Sequence, residues 1–224
     1  MATWQFMNFA ICHHATFRTC LPATAHNAGL LLWWCYCYRT KYFSMRSFYI
    51  IKIAVLLNCI LARVSGFNAG HSSFNFLTAR RDLFLHSFDT GHFSYTRAMA
   101  SYLQQKFPGR LNITFGDSRN TVSRYFIASQ LHAPLTCDII SVDGGHSKDK
   151  PLRDILNFAQ VASLPHNVIL IDDHNAPDVR KAWSFAIKSG IAQQHKLFNC
   201  RFGRNQIKQF AVGKIVQRRP NEDR

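Results

Sequence analysis

The sequence predicts an α/β protein: a Rossmann-like, doubly wound, mostly parallel sheet closed by a C-terminal antiparallel hairpin. Three observations carry that reading. Short apolar runs end at Phe88, Phe115, Val142 and Ile171, at intervals of about 30 residues, the length of one strand-plus-helix unit. Helix-period patterns fill the intervals, and strand alternating with helix means a parallel sheet covered on both faces. An aspartate follows each run (Asp89, Asp117, Asp143, Asp172), and a parallel sheet puts all of them at one edge. Carboxylates gathered there repel unless a diol, a polar ring or a cation lies among them.

The chain has 224 residues, 47% of them hydrophobic, enough for one α/β domain of ordinary size plus an N-terminal extension. The net charge of +15 belongs to the ends. Residues 1–65 carry Arg18, Arg39, Lys41, Arg46, Lys52 and Arg63 with no Asp or Glu, and the stretch from Lys196 is again rich in Lys and Arg. A basic surface attracts nucleic acid or anionic lipid, but charge alone proves neither. Seven cysteines, five of them N-terminal, form no regular framework, which argues against a disulfide scaffold. Cys12-His13-His14 with Cys20, or Cys35 with Cys37, fits no common zinc spacing. Cys137 and Cys200 read as small apolar fillers at strand edges.

Residues 1–47 are rich in aromatics, Cys and His without a clear period, and are expected to lie outside the fold as a poorly ordered extension. Leu30 to Tyr38 is too short to span a bilayer. Phe48 to Ala62 is a longer apolar run with three readings: a helix and first strand leading into a glycine turn, a signal-like segment, or sequence foreign to the domain. The first is favoured for its last residues. A cytoplasmic location is expected, with membrane association through 48–62 as the alternative.

Gly66-Phe-Asn-Ala-Gly70 is a turn where backbone can approach a ligand, and Ser72 or Ser73 is expected to cap the next helix. Leu83 to Phe88 reads as a strand. Phe93 to Phe107 reads as a helix with Tyr95, Met99, Tyr102 and Leu103 on one stripe, stopped by Pro108-Gly109. Leu111 to Phe115 alternates as a strand. A helix follows from Asn120 to Leu131. Ile139 to Val142 reads as a strand buried on both faces, stopped at Asp143-Gly144-Gly145-His146-Ser147. Pro151 opens a helix to Ala162, with Leu152, Ile155, Leu156 and Ala159 inward. Val168 to Ile171 ends at Asp172-Asp173-His174, and Asn175 is placed to cap a helix ending at Gly190. Lys196 to Phe202 and Gln209 to Val216 read as the hairpin, joined by a loop from Gly203 to Lys208. Residues 217–224 read as a basic, disordered tail.

The order of these motifs resembles the class I S-adenosylmethionine-dependent methyltransferases. It is closest to the branch with Asp-Gly-Gly-His-Ser after the fourth strand, the methyltransferase domain 24 type. The α/β domain is drawn at 48–216, with the resemblance clear from residue 65. It implies S-adenosylmethionine as cofactor. Gly66, Asn68, Ala69 and Gly70 would approach its methionine part. Asp89 would take the ribose diol, and Asp117 with Ser118 would face the adenine. Asp143 belongs to the same site. A likeness to catechol-type O-methyltransferases further implies a divalent ion, Mg²⁺, held by Asp143, Asp172 and Asp173. The competing reading is that Asp172 and Asp173 only cap the next helix. Asp143, His146 and His174 are the candidate catalytic residues, the histidines as proton acceptors.

One departure bears on competence. The family carries an acid two positions before the first glycine; here that position is Val64, after Arg63. Either the first strand is divergent, or residues before about Ser65 are not the family's native N-terminus. The leading expectation is O-methylation of a small-molecule hydroxyl. An RNA-directed methyltransferase is the alternative, although the Asn/Asp-Pro-Pro-Tyr/Phe motif of amino-group methylation is missing after the fourth strand. A catalytically weak or non-catalytic binding domain is the third.

Overall fold

The computed structural model describes residues 61–132, 139–202 and 206–217. The chain divides into two compact units, Met1–Thr40 and Lys41–Arg224, and all described residues belong to the second. The N-terminal extension, the apolar run up to Ile60, the five N-terminal cysteines, Pro134, Cys137, the hairpin tip at 203–205 and the tail from 218 lie outside the described residues.

The elements in chain order are β1 (Leu61–Ser65), α1 (His71–Ala79), β2 (Phe84–Asp89), α2 (Ser94–Lys106), β3 (Leu111–Phe115) and α3 (Ser118–His132). They continue with β4 (Ile139–Val142), α4 (Lys150–Ala159), β5 (Val168–Ile171), α5 (Pro177–Lys188), β6 (Ala192–Phe202) and β7 (Gln206–Ile215). The strands form one sheet in the order β3-β2-β1-β4-β5-β7-β6. β1 pairs in parallel with both β2 and β4, so the chain reverses its winding there, the crevice where open α/β sheets take ligands. β7 runs antiparallel to β5 and β6. The expected doubly wound sheet with a closing hairpin is what the chain forms.

Two cores follow from the period of two along each strand. Ala62, Val64, Leu85, Ile139 and Leu170 pack on one face with Phe76 and Leu77 of α1 and Met99 and Leu103 of α2. Phe88, Ile140, Val142, Ile169 and Ile171 pack on the other with Val122 of α3, Ile155 and Phe158 of α4, and Trp183 of α5. Ile139 to Val142 is buried throughout, as an apolar strand between two helical layers must be.

The boundaries moved where polar residues misled. β6 begins at Ala192 and β7 at Gln206, so the hairpin is longer than its apolar stretch suggests and Lys208 lies in a strand, not a loop. Gln193 to Leu197 are exposed, and an edge strand tolerates them because one side meets water. Gly70, in a left-handed conformation, is the N-cap of α1, and Ser72 and Ser73 lie inside the helix. Ala176 is the N-cap of α5 without a side-chain cap, while Asn175 Oδ1 accepts from Gln209 N at 3.3 Å, tying the loop to β7. On α2 the inward residues are Thr96, Met99, Ala100 and Leu103, and Tyr102 faces solvent.

Trp183 fixes the second core against the hairpin. Its ring lies on Gly213, where an added Cβ would come within 2.9 Å of it, and its Nε1 donates to Gln194 Oε1 at 2.8 Å. Trp183→Ala is expected to cost about 3–5 kcal/mol of stability by cavity formation. A urea midpoint lowered at unchanged slope checks it.

Candidate active site

The strand ends are flush. Gly116 N donates to Asp89 O at 2.8 Å, Gly66 N to Phe88 O at 2.8 Å, Asp143 N to Ser65 O at 3.0 Å, and Asp172 N to Val142 O at 3.0 Å. These bonds run across β3, β2, β1, β4 and β5 just where each strand stops. Asp89, Asp117, Asp143 and Asp172 therefore leave the sheet along a single rim. Pleated pairing in register makes this geometry: Ser65 is paired with Phe88 and Val142, and Val142 with Ile171.

The glycine turn from Gly66 to Gly70 crosses the rim at the switch point. Gly66 has φ +87°, and a Cβ there would sit 2.0 Å from the Asp143 carbonyl oxygen, so only glycine fits. Asn68 is left-handed as well, with φ 52°. Asp89 holds the turn: Oδ2 accepts from Phe67 N at 2.9 Å and Asn68 N at 2.8 Å, and Oδ1 accepts from Gly91 N at 2.7 Å. Tyr95 OH donates to Asn68 Oδ1 at 2.7 Å. Ala69 is buried behind the turn. The orienting carboxylate thus comes from β2, while Val64, where the sequence resemblance leads one to expect an acid, is an apolar core residue.

Asp117 sits at the end of β3 against Arg119, whose Nη2 is 2.7 Å from Oδ2. That hydrogen bond holds the Asp117 carboxyl below the usual carboxylate range. Arg119 also reaches Asp149 at 3.2 Å, and Arg153 lies 3.6 Å from the same Asp149. Ser118 opens α3 beside it.

At the β4–β5 corner, Asp143 is half-buried, and Asp172 is buried. Asp173 is left-handed, with φ 45°. Lys208 Nζ donates to Asp173 Oδ1 at 2.6 Å, and His146 Nδ1 lies 3.5 Å from Asp173 Oδ2. His174 is buried, its N donates to Gln209 O at 2.8 Å, and burial pushes its imidazole pKa down, which favours the neutral ring. Among the described residues no three His, Cys, Asp or Glu side chains gather as a metal-binding group, so Asp143, Asp172 and Asp173 are not brought together as a ligand set. The N-cap of α5 is Ala176, which has no side-chain cap, and the Asp173 carbonyl accepts from Ala176 N at 2.8 Å.

Asp154 was missed from the sequence. It is fully buried on α4, under the β4 turn, and a Cβ on Gly144 would lie 2.9 Å from its Oδ2 and 3.3 Å from Ser65 Oγ. Neither carboxylate oxygen has a hydrogen-bond partner among the described residues. Burial pushes its carboxyl up to about 6, with the Ser118 and Ser65 hydroxyls nearby pulling the other way, short of hydrogen-bond geometry. The signal was present: Pro151, Asp154, Ile155 and Phe158 follow the i, i+3, i+4, i+7 spacing of the buried stripe.

Linkage gives the sign. The folded state holds the Asp154 proton more tightly than the unfolded chain, whose value is 3.8, so the contribution is full below about pH 4 and is lost as pH rises through about 6. Asp154→Asn is expected to match the parent near pH 4 and to exceed it by up to about 3 kcal/mol at pH 7. The difference between the two urea midpoints against pH is the measurement. It isolates Asp154 from His86, which burial and then Arg63 hold down to about 4 and which titrates in the opposite sense.

The strand order, the reversed last strand and a glycine turn facing acids on one rim define the class I methyltransferase fold. Residues 64–174 match the family model described as a methyltransferase domain. Among curated proteins none matches. Solved structures similar to it include the O-methyltransferase TomG from Streptomyces achromogenes, involved in tomaymycin synthesis and in complex with SAM. That likeness has 15% identity, 76% of this chain and 79% of that chain covered, and a TM-score of 0.62. Cofactor-bound Rv0187 from MTB is similar at 12% identity, with 88% and 93% covered and a TM-score of 0.65. The O-methyltransferase from Bacillus cereus in complex with SAH is similar at 8% identity, with 87% and 93% covered and a TM-score of 0.62. At such identities the likeness concerns the fold.

Proposed function

We propose that this domain is an S-adenosylmethionine-dependent methyltransferase acting on the hydroxyl oxygen of a small molecule. The observation that carries the reading is the Gly66–Gly70 turn, clamped by Asp89 at the switch point between β1 and β4. The residues present fit the cofactor. A carboxylate has roughly four lone-pair sites, and the backbone uses three of those on Asp89, which leaves acceptor capacity for a ribose hydroxyl. Gly66, Asn68, Ala69 and Gly70 would hold the methionine part, and Asp117 with Ser118 and Asp143 would border the nucleoside. When bound, the cofactor supplies a methyl group on a sulfonium, open to attack by an oxygen nucleophile.

The chain's own part is to position the acceptor and take its proton. His146 is the better placed histidine for that task. With Nδ1 toward Asp173, its Nε2 is left as the basic atom on a half-exposed ring. Buried His174 supports the β5 exit instead, through its backbone bond to β7. The support for an oxygen acceptor is the Asp-Gly-Gly-His sequence where amino-group methylases carry a proline-rich motif, together with the O-methyltransferases among the similar structures.

Calorimetry with S-adenosylhomocysteine tests the binding half, and a stoichiometric exothermic isotherm is expected. Asp89→Ala should weaken that binding at least tenfold, about 1.4 kcal/mol or more, because turn and ribose lose one partner together. No heat from the parent protein at millimolar ligand would sink the proposal.

A further inference from the structure

At the β5 corner of the rim, the positive charge facing the carboxylates is part of the chain itself. The bond from His174 N to Gln209 O, 2.8 Å, fixes the exit of β5 against β7. That register lays Lys208 beside Asp173, with Nζ 2.6 Å from Oδ1. His146 approaches the other oxygen from the β4 turn, 3.5 Å away. The Asp173 side chain is 15% exposed and that of Lys208 37%, so the pair stands at the lip of the crevice and not in the core. A dication at Asp173 would have to share that carboxylate with an ammonium already in contact, and like charges a few ångströms apart repel strongly where water is partly excluded. Mg²⁺ also demands near-octahedral oxygens, and no converging set stands here among the described residues.

We infer that Lys208 is the resident cation of this site, standing on the acidic pair for which the sequence resemblance implied a divalent ion. The inference rests on the methyltransferase reading. Its consequence concerns the acceptor. A single ammonium stabilises an oxyanion less than a dication with open coordination does. The acceptors that suit it are those whose hydroxyl ionises readily, phenols and enols with a pKa near that of a tyrosine, about 10, and not aliphatic alcohols.

Mn²⁺ titration followed by electron paramagnetic resonance tests this on the full chain. The parent protein should take up no stoichiometric Mn²⁺. Lys208→Ala and Lys208→Gln should each bind it at least tenfold more tightly than the parent, and adding Asp173→Asn should remove that gain. A stoichiometric Mn²⁺ site in the parent, or no gain in either variant, overturns the inference. S-adenosylhomocysteine calorimetry on the same samples reports separately: heat retained in the variants shows that the fold and turn are intact. Its absence from the parent would sink the methyltransferase reading while the Mn²⁺ result still decides where the charge resides.

Discussion

The flush ending of five strands is the constraint on which the site depends. Hydrogen bonds donated by the backbone N–H groups of Gly116, Gly66, Asp143 and Asp172 to the neighbouring strand close each ladder at the same level. Side chains that follow are then forced into company, whatever their charge. The protein resolves the crowding with a different partner at each of three places. Asp89 is met by three backbone N–H groups, Asp117 by the Arg119 guanidinium, and Asp173 by the Lys208 ammonium with His146. Charge-assisted bonds of this kind are stronger than neutral ones, and several of them are made by groups close in sequence, which lowers the entropy of forming them.

Beneath the rim the same sheet carries polar groups at a much higher cost. Arg63 is fully buried in β1, its guanidinium 5.2 Å from the Tyr125 ring centre and its Nη2 3.4 Å from the Tyr125 hydroxyl. Its register neighbour His86 stacks on Phe88 and shares a 2.8 Å hydrogen bond with Thr114. With its pKa held down to about 4, that histidine is neutral near pH 7, so Arg63 has no second cation beside it there. Asp154 lies under the β4 turn as an opposite case, an acid that burial drives toward its neutral form. The face of β1 carrying Arg63 and Ser65 is therefore polar in the middle of an apolar layer, beneath the turn that crosses the rim.

Much of this was legible in the sequence because it is written locally. Ile139 to Val142 has no polar interruption long enough to be anything but a buried strand, and Gly66 and Gly70 mark the turn by residue type alone. The recurring aspartates placed the rim before any coordinate did. Lys208 was illegible for a physical reason. Its partner, Asp173, is 35 residues away, and the pairing follows from antiparallel register, which polar residues on an exposed edge strand do not encode. Asn175 failed as a cap because Gln209 N competes for its oxygen. Asp154 lies in the buried helical stripe, where an acid contradicts the apolar pattern that marks the stripe and so hides its own position.

A valine at position 64, where the sequence resemblance leads one to expect an acid, looks severe only if that position is tied to one task. What the turn needs is a carboxylate within reach of its N–H groups, and the geometry of adjacent parallel strands offers two sources, β1 itself or the end of β2. Asp89 takes that task here, and Val64 returns to the core. The substitution has a thermodynamic consequence. A turn held from β1 would be set independently of the nucleoside, whereas Asp89 is also the residue we propose for a ribose. Any ligand hydroxyl that draws on Asp89 must share it with Phe67 N, Asn68 N and Gly91 N. Ligand binding and the order of the turn are then coupled through one carboxylate, each able to strengthen or loosen the other by the same free energy.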